Sequence, residues 1–508
     1  MKSTRRFGKY PLLSIIVLAS IIRMLFFVGF GLGDDPYYAR TAKYFMEDGF
    51  RSLSLEFGSN YRIGLWIPVS FFFKTLGVND ISFILFPFLS SLGLIVSVYL
   101  IGKELFDEKV GLISAFFLAI SPFDSVFSST MTIDIITSFF AAMSFLCFIR
   151  GNKARNRTFI FYYLLAGGFL LWSYFIKPVA FMPLVFIPIT LIEIKSIKKH
   201  AIFYLIVALL FSISFMADYA ISGDFLHYFH QELKYAPRPG LFQDIGISYF
   251  KWMFTGDMSF GILMFGYFFY LATLSLIYCI ANKIKNSYNL LMWFFMVFLL
   301  LEFLPMGISP YAVAPRFFRY AHAFFVPAVL VSAVALNSIW NFSISRSKKH
   351  SSLTKMIFLI IFSALTCASL IEGAKLSNLY RDSFGDSTEA SLFLLKLDPK
   401  PIYSDNAMSD RFDFYTGYER SSQLMWYVNN HSFQMDIIEK RNYEPLKNIS
   451  DAYVVVGGAR SPDTSPHLML SSCSFEKTNN WELIATFKRN LTEYRAEPLK
   501  IYYVPEIV

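Results

Sequence analysis

The chain has few charged residues for its length. Asp, Glu, Lys and Arg make up 16% of its 508 residues, against roughly 25% in an ordinary soluble domain. It also has only four cysteines, far apart, three of them inside apolar runs. Neither a disulfide framework nor a zinc site is therefore supported. The sequence contains no internal repeat, which weighs against secondary transporters because many of them are built from inverted repeats.

The residues that are abundant are apolar: 55% are hydrophobic and 19% are aromatic. Several runs reach about 20 apolar residues, which is the length needed to cross a hydrocarbon core of about 30 Å. The first run is too long for a signal peptide and is expected to remain as an uncleaved span. Eleven spans are predicted, near residues 11–31, 80–101, 110–128, 131–149, 158–175, 178–194, 201–221, 259–281, 288–305, 319–341 and 356–373.

The segment 61–76 is also apolar, but Gly64 and Pro68 interrupt it. It is short for a span, so an interfacial or re-entrant helix is predicted there instead.

The distribution of charged residues predicts the orientation of the chain in the membrane. The net charge of +9 does not indicate a nucleic-acid partner, because the basic residues cluster in short loops between apolar runs. With a cytoplasmic amino terminus every inner loop is basic, as the positive-inside rule requires. Most of the acidic residues, among them Asp34, Asp35 and Asp134, then lie on the outer side. A multi-pass protein of a prokaryotic cell membrane is expected, with its carboxy-terminal region outside.

The composition changes after the last predicted span. Between residues 374 and 508 the apolar runs shorten to strand length, at 401–404, 452–456, 483–487 and 499–504, and a helical stretch covers 387–397. This pattern predicts a small α/β domain. Two domains are therefore expected: a membrane domain over 1–373, whose first outer loop spans 32–79, and an outer domain over 374–508.

The first outer loop carries an acidic pair, Asp34 and Asp35, directly before Pro36. An aspartate before a proline at the first helical position can cap the helix amides, and that is the structural alternative for Asp35. It does not explain Asp34. Two adjacent acids at a lipid boundary repel each other unless cations balance them. Basic residues predicted on the same side could do so: Arg62, Lys177, Arg316 and Arg319.

Two further acids and two histidines on the predicted outer side are candidates. Asp134 and Asp124 each lie close to apolar runs, where an acid is either functional or a helix cap. His227 and His230 are three positions apart with Asp224 nearby. Three such residues in a polar loop are a weak indication of a metal site, so no metal ligand is assigned and dependence on a divalent cation is left open.

The order of these motifs resembles the GT-C membrane glycosyltransferases, in particular the branch with protein O-mannosyltransferases and the aminoarabinose transferase of lipid A. The resemblance rests on 34–42, 61–66, Gly111-Leu112-Ile113, Lys177-Pro178 and Arg316-Phe317-Phe318-Arg319-Tyr320, and it extends over residues 1–373. The chain departs from the family pattern at two places. It has Asp34-Asp35 where Asp-Glu is frequent, and Arg62-Ile63-Gly64 where Lys-Pro-Pro is frequent.

The resemblance implies a GT-C fold and a sugar donor carried on a polyprenyl phosphate, with transfer to a lipid, glycan or protein acceptor outside the cytoplasm. It implies that Asp34 is the catalytic base and that Asp134 is a second acid in the same cavity, with Asp35 kept as a catalytic candidate. The substrate-binding candidates are Arg62, Lys177, Arg316, Arg319, Tyr320 and Tyr38. A ligase or polymerase of lipid-linked glycans, a lipid or sugar transporter, and a non-enzymatic sensor remain as alternatives.

Overall fold

The computed structural model describes most of the membrane region and the core of the carboxy-terminal region. The described residues are 10–31, 34–52, 62–177, 186–187, 189–190, 197–227, 230, 249, 266–284, 286–303, 305–308, 311–313, 318–346, 351–404, 406–426, 450–456, 481–487 and 498–506. They form two compact units, one of 1–27, 48–69 and 84–376 and one of 28–47, 70–83 and 377–508.

Helices make up nearly all of the described membrane region. Their bounds are Tyr10–Leu25, Asp35–Asp48, Ile63–Leu76, Asp80–Leu105, Glu108–Ala119, Pro122–Phe127, Ile133–Lys153, Thr158–Ile176, Ile197–Ser222, Phe269–Ala281, Ser287–Phe303, His322–Arg346 and Ser351–Leu394. Within the described ranges, six helices are long and apolar enough to cross a membrane. The chain is an integral multi-pass membrane protein.

Six predicted spans coincide with helices within five residues at each end, near 80–101, 131–149, 158–175, 201–221, 288–305 and 319–341. The helix over the last predicted span, Ser351–Leu394, continues well beyond its predicted end at residue 373. The predicted span near 110–128 is not one helix, however: a first helix ends at Ala119 and a second begins at Pro122. Proline lacks the amide that would continue the first helix, and the Ser121 hydroxyl accepts a hydrogen bond from the Asp124 amide at the start of the second. Most of the predicted span 178–194 lies outside the described residues.

In the first unit, the helices Ile133–Lys153 and Thr158–Ile176 form a hairpin with a connection of only four residues. The helix His322–Arg346 packs against Glu108–Ala119, Ile133–Lys153, Phe269–Ala281 and Ser287–Phe303, and most of its positions are buried. Many large apolar side chains on the helix Ile197–Ser222 are exposed instead, among them Leu205, Leu209 and Ile213. Such an exposed apolar surface is suited to contact with lipid.

The second unit contains a five-stranded mixed sheet. The strand order is Leu424–Trp426, Ile402–Ser404, Ala452–Val456, Leu499–Val504 and Glu482–Phe487. The first three strands are parallel, and the last two pair antiparallel to their neighbours. The predicted small α/β region is therefore confirmed.

The apolar core of that sheet includes residues from two helices. Ala390 and Leu394 belong to the helix Ser351–Leu394, and Met408 and Phe412 belong to the helix Asn406–Tyr415. All four pack with Ile402, Tyr453, Val455, Leu499 and Ile501 of the strands. The helix Asn406–Tyr415 is thus fixed to the sheet through one face.

Candidate active site

The helical hairpin brings Asp134 and Lys177 together. Asp134 is the second residue of the helix Ile133–Lys153, and Lys177 follows directly after the helix Thr158–Ile176. Because the two helices are antiparallel and joined by a short connection, these positions lie at the same end of the hairpin. The Lys177 ammonium donates a hydrogen bond to Oδ1 of Asp134 over 2.6 Å.

A third segment adds a second cation to this carboxylate. Arg319 lies in the 3₁₀ helix Phe318–Ala321, and its Nε is 3.7 Å from Oδ2 of Asp134. The next residue, Tyr320, places its ring 3.3 Å from Nζ of Lys177, measured to the ring centre. An ammonium over a tyrosine face is held by a cation–π interaction. The lysine is therefore fixed by a carboxylate and by an aromatic ring.

Arg62 adds a third positive charge. It precedes the helix Ile63–Leu76, and its carbonyl accepts the amide hydrogens of Leu65 and Trp66. A side chain at Gly64 would lie only 3.1 Å from atoms of Phe175 and Ile176, so the absence of one allows the two segments to approach closely. This contact brings Arg62 to the end of the Thr158–Ile176 helix, where its charge acts on Lys177.

Asp134, its neighbours Lys177 and Arg319, and Arg62, whose charge acts on Lys177, are called the cationic cluster. The four side chains differ in access: Asp134 is 6% exposed, Lys177 20% and Arg319 33%, and Arg62 is buried. Two cations flank one carboxylate and the charge of Arg62 acts on one of them, so the cluster carries an excess of positive charge with partial access to solvent. Guanidinium and ammonium groups in such a setting are suited to bind a phosphate.

Lys177 lies just outside the membrane span that ends at Ile176. Burial lowers the pKa of its ammonium to about 8, and the Asp134 carboxylate opposes this shift while Arg319 and Arg62 add to it. The lysine is still mostly protonated at pH 7.

The acidic pair belongs to the second compact unit, and its two members have different surroundings. Asp34 is half-buried, and its Oδ2 accepts a hydrogen bond from the Tyr38 hydroxyl over 3.3 Å. Asp35 is only 7% exposed, and its Oδ2 accepts the amide hydrogen of Gly31 over 2.9 Å. The helix that follows this pair begins at Asp35.

Arg411, on the helix Asn406–Tyr415, is a buried cation that contacts this part of the second unit. It is 1% exposed and donates to the Gly31 carbonyl over 3.0 Å and to the Thr388 hydroxyl over 2.6 Å. The charge of Asp35 acts on it. Nothing in the sequence distinguishes Arg411 from the other basic residues of the carboxy-terminal region, and sequence reasoning missed it.

A second network in the first unit surrounds the candidate Asp124, and its partners were not predicted. Asp124 is fully buried, and its carboxylate forms an ion pair with Arg23 and accepts hydrogen bonds from Ser91 and from Nε2 of His322, the last over 2.9 Å. Arg23 and His322 are fully buried too. A signal for both was present, because an arginine and a histidine inside predicted spans are costly and usually paired. His322 directly follows the 3₁₀ helix that holds Arg319 and Tyr320.

The outcome differs for the remaining predicted positions. Arg316 lies outside the described residues. His230 pairs with Asp224 over 2.7 Å, and no group of three metal-ligand side chains is found within the described ranges.

Part of the chain matches a family model. Residues 63–217 match the model described as dolichyl-phosphate-mannose-protein mannosyltransferase. The matched segment begins one residue after Arg62 and contains Asp134 and Lys177. No curated protein sequence matches the chain significantly.

Solved structures match over nearly the whole chain. ArnT from Cupriavidus metallidurans in the apo state has a TM-score of 0.62 and 13% identity, with 96% of this chain and 97% of that chain covered. The same protein bound to undecaprenyl phosphate gives the same values. The apo oligosaccharyltransferase of Archaeoglobus fulgidus has a TM-score of 0.56 and 15% identity, with 89% of this chain and 70% of that chain covered. The chain therefore has the GT-C fold, and the resemblance to the GT-C membrane glycosyltransferases predicted from its sequence is confirmed.

Proposed function

We propose that the protein is a glycosyltransferase that moves a sugar from a polyprenyl-phosphate carrier to an acceptor hydroxyl on the extracytoplasmic side. The observation that carries this proposal is the cationic cluster, in which Lys177 and Arg319 flank the Asp134 carboxylate at the end of a helical hairpin and the charge of Arg62 acts on Lys177. The solved complex of ArnT with undecaprenyl phosphate supports this class of carrier.

The cluster would hold the phosphate of the donor. Arginine is suited to bidentate contacts with phosphate oxygens, and lysine adds a compact charge. Asp134 keeps Lys177 and Arg319 beside each other, since without it the two cations would repel. Tyr320 holds the lysine from the other side.

The chemistry needs one base and no protonating acid. The acceptor oxygen forms a bond to the anomeric carbon as its proton passes to Asp34, and the bond from that carbon to the phosphate oxygen breaks. Polyprenyl phosphate leaves with the electron pair of that bond, and the cluster stabilises its charge. A phosphate is a good leaving group, unlike the alkoxide in glycoside hydrolysis, which requires a second carboxyl. Attack opposite the leaving group inverts the anomeric centre.

Asp34 and Asp35 have separate roles in this proposal. Asp34 is half-buried, with the Tyr38 hydroxyl on one of its oxygens. Asp35 is almost fully buried and receives the Gly31 amide. Asp34 is thus the base, and Asp35 holds the loop.

The test uses the purified full chain in lipid nanodiscs with a panel of polyprenyl-phosphate sugars, and it measures the release of polyprenyl phosphate. Asp34→Asn keeps the side-chain size and removes the base, so turnover should fall by about 10² to 10⁴. Asp48→Asn, at the other end of the same helix, is the matched control and should behave as the wild type. Normal turnover in Asp34→Asn would remove Asp34 as the base.

A second arm tests the cluster. Arg319→Met should raise the KM for the donor, while Arg381→Met, an arginine in the carboxy-terminal part of the helix Ser351–Leu394, should not. With the protein reconstituted in liposomes, movement of intact donor across the membrane, with no release of polyprenyl phosphate from any donor, would instead identify a transporter.

A further inference from the structure

The segment 28–47, which carries Asp34, belongs to the same compact unit as the carboxy-terminal region 377–508. The two are far apart in the sequence. Two sets of contacts between them, one before Asp34 and one after it, determine how the acidic segment is held.

The first set holds the backbone at Gly31 and the side chain of Phe30. The Gly31 carbonyl accepts a hydrogen bond from Arg411, while the Gly31 amide donates to Asp35. The Phe30 ring stacks on Phe414 with a centroid distance of 4.0 Å and an interplanar angle of 4°. Arg411 lies 5.4 Å from the centre of the same Phe30 ring. Three residues before Asp34, the chain is therefore fixed through its backbone and through an aromatic side chain.

The second set holds the helix that follows. Arg40 donates to Asp410 over 2.6 Å and lies 3.3 Å from Asp413. Asp413 also accepts a hydrogen bond from the Ser421 hydroxyl over 2.6 Å, which fixes the orientation of its carboxylate. Asp410, Arg411 and Asp413 all lie on the helix Asn406–Tyr415. One helix therefore holds the acidic segment on both sides of Asp34.

Charge makes Arg411 hard to replace. Burying a guanidinium costs free energy, and the cost is offset only where acids face it. The groups whose charges act on Arg411 are Asp35, Asp80, Asp386 and Tyr415. Removing the guanidinium would take away a positive charge that acts on the buried Asp35, and the Gly31 carbonyl would lose its hydrogen bond from Arg411.

We propose that Arg411, together with Asp410 and Asp413, which both contact Arg40, positions Asp34, so that the helix Asn406–Tyr415 determines where the catalytic base lies. This inference rests on the proposed function for the role of Asp34, although the contacts themselves do not. A misplacement of about 1 Å in a catalytic group can cost about 100-fold in rate. Loss of these contacts should therefore act on turnover rather than on donor binding.

The experiment combines hydrogen exchange with kinetics on the full chain in nanodiscs. In Arg411→Gln and in Arg40→Gln, peptides covering 28–47 should lose protection, while peptides from 133–176 should not change. The kcat should fall by about 10- to 100-fold, and the KM for the donor should stay within about twofold. Arg411→Lys, which keeps the charge, should recover part of the kcat.

Lys400→Met is the matched control. Lys400 pairs with Asp451 and donates to the Tyr503 hydroxyl over 3.1 Å, within the same carboxy-terminal region. The variant removes an ion pair of that region without touching 28–47, so loop protection and kcat should both remain at the wild-type level.

A charge exchange covers the case in which Arg411→Gln fails to fold. Arg40→Asp should lose loop protection and turnover, and the double variant Arg40→Asp with Asp410→Arg should regain both. Unchanged protection of 28–47 in Arg40→Gln, or a raised acceptor KM with normal kcat, would overturn the proposal. Normal turnover in Asp34→Asn would refute the proposed base while leaving the exchange result intact, so the two failures are distinguishable.

Discussion

The ammonium nitrogen of Lys177 lies 2.6 Å from Oδ1 of Asp134, 43 positions earlier in the chain. The pair is only partly accessible, with the carboxylate almost covered and the lysine 20% exposed. A lysine held in this way is available to an incoming anion through its exposed part. Its protonation state then decides how well that anion binds.

The first prediction concerns the pH dependence of donor use. Because burial lowers the pKa of Lys177 to about 8, the free enzyme loses this charge as pH rises through that value. The kcat/KM for the donor should therefore fall above about pH 8, since it reports the ionisation of the free enzyme. In Lys177→Arg the fall should disappear, because a guanidinium stays charged.

The substitution Asp134→Asn tests the other member of this pair. The carboxylate raises the pKa of Lys177, so its removal should move the fall in kcat/KM to a lower pH. Lys153→Arg is the control, because Lys153 forms an exposed pair with Glu104 and should leave the profile unchanged. A profile that is the same in the wild type and in Lys177→Arg would exclude Lys177 from donor binding.

The second prediction concerns the buried network at Asp124. Asp124→Asn leaves the Arg23 guanidinium buried with no carboxylate, and the loss of one partner of such a pair costs about 3 to 5 kcal/mol. Equilibrium unfolding in detergent micelles measures this cost. Replacing both partners by apolar residues, Arg23→Met with Asp124→Leu, should be far less destabilising.

An exposed pair calibrates that result. Lys153→Met removes the contact with Glu104, whose side chain is 30% exposed while that of Lys153 is 51% exposed. Pairs of this kind contribute about 0 to 1 kcal/mol. If Asp124→Asn lowers the free energy of unfolding no more than Lys153→Met does, the Asp124 carboxylate is not needed to compensate the buried charge of Arg23.

The third prediction concerns the crossing of the helices Asp80–Leu105 and Glu108–Ala119. A Cβ atom at Gly111 would lie 2.5 Å from the Tyr99 carbonyl oxygen and 3.2 Å from the Lys103 amide nitrogen, both of them backbone atoms. Since backbone cannot rotate away, Gly111→Ala should destabilise the protein by about 1 to 3 kcal/mol. Thermal unfolding in micelles measures the change.

Gly168 provides the matched control for that substitution. It lies inside the helix Thr158–Ile176, and an added Cβ would meet nothing within 4 Å. Gly168→Ala should stabilise the protein by up to about 1 kcal/mol through helix propensity. Equal effects of the two alanines would mean that the close helix crossing at Gly111 is relaxed in the folded protein.

Local patterns predicted much of the fold. The helix Ile133–Lys153 follows a long apolar run, and the strands Ala452–Val456 and Leu499–Val504 lie at their predicted bounds. The strand Leu424–Trp426 was missed because three residues are too few to show alternation. The break between Ala119 and Pro122 was missed because the apolar run continues through it.

Only part of the candidate site could be predicted from the sequence, and the reason is physical. Lys177 was recognisable because it is a basic residue in a short turn that is predicted on the outer side, against the charge rule. Its pairing with Asp134 depends on the helical hairpin, which the spans themselves suggest. The partner of Gly31, by contrast, lies on a helix of the carboxy-terminal region, and a single sequence carries no signal for such a long-range contact.

Gly31 and Arg411 are 380 positions apart, and this distance has a consequence for synthesis. At about 5 to 20 residues per second, a ribosome needs roughly 20 to 75 s to proceed from one to the other. The spans that precede residue 346 can all enter the membrane during that delay. If Arg411 positions Asp34 as proposed, a nascent or prematurely terminated chain is inserted but inactive, and activity begins only when the last fifth of the polypeptide has been made.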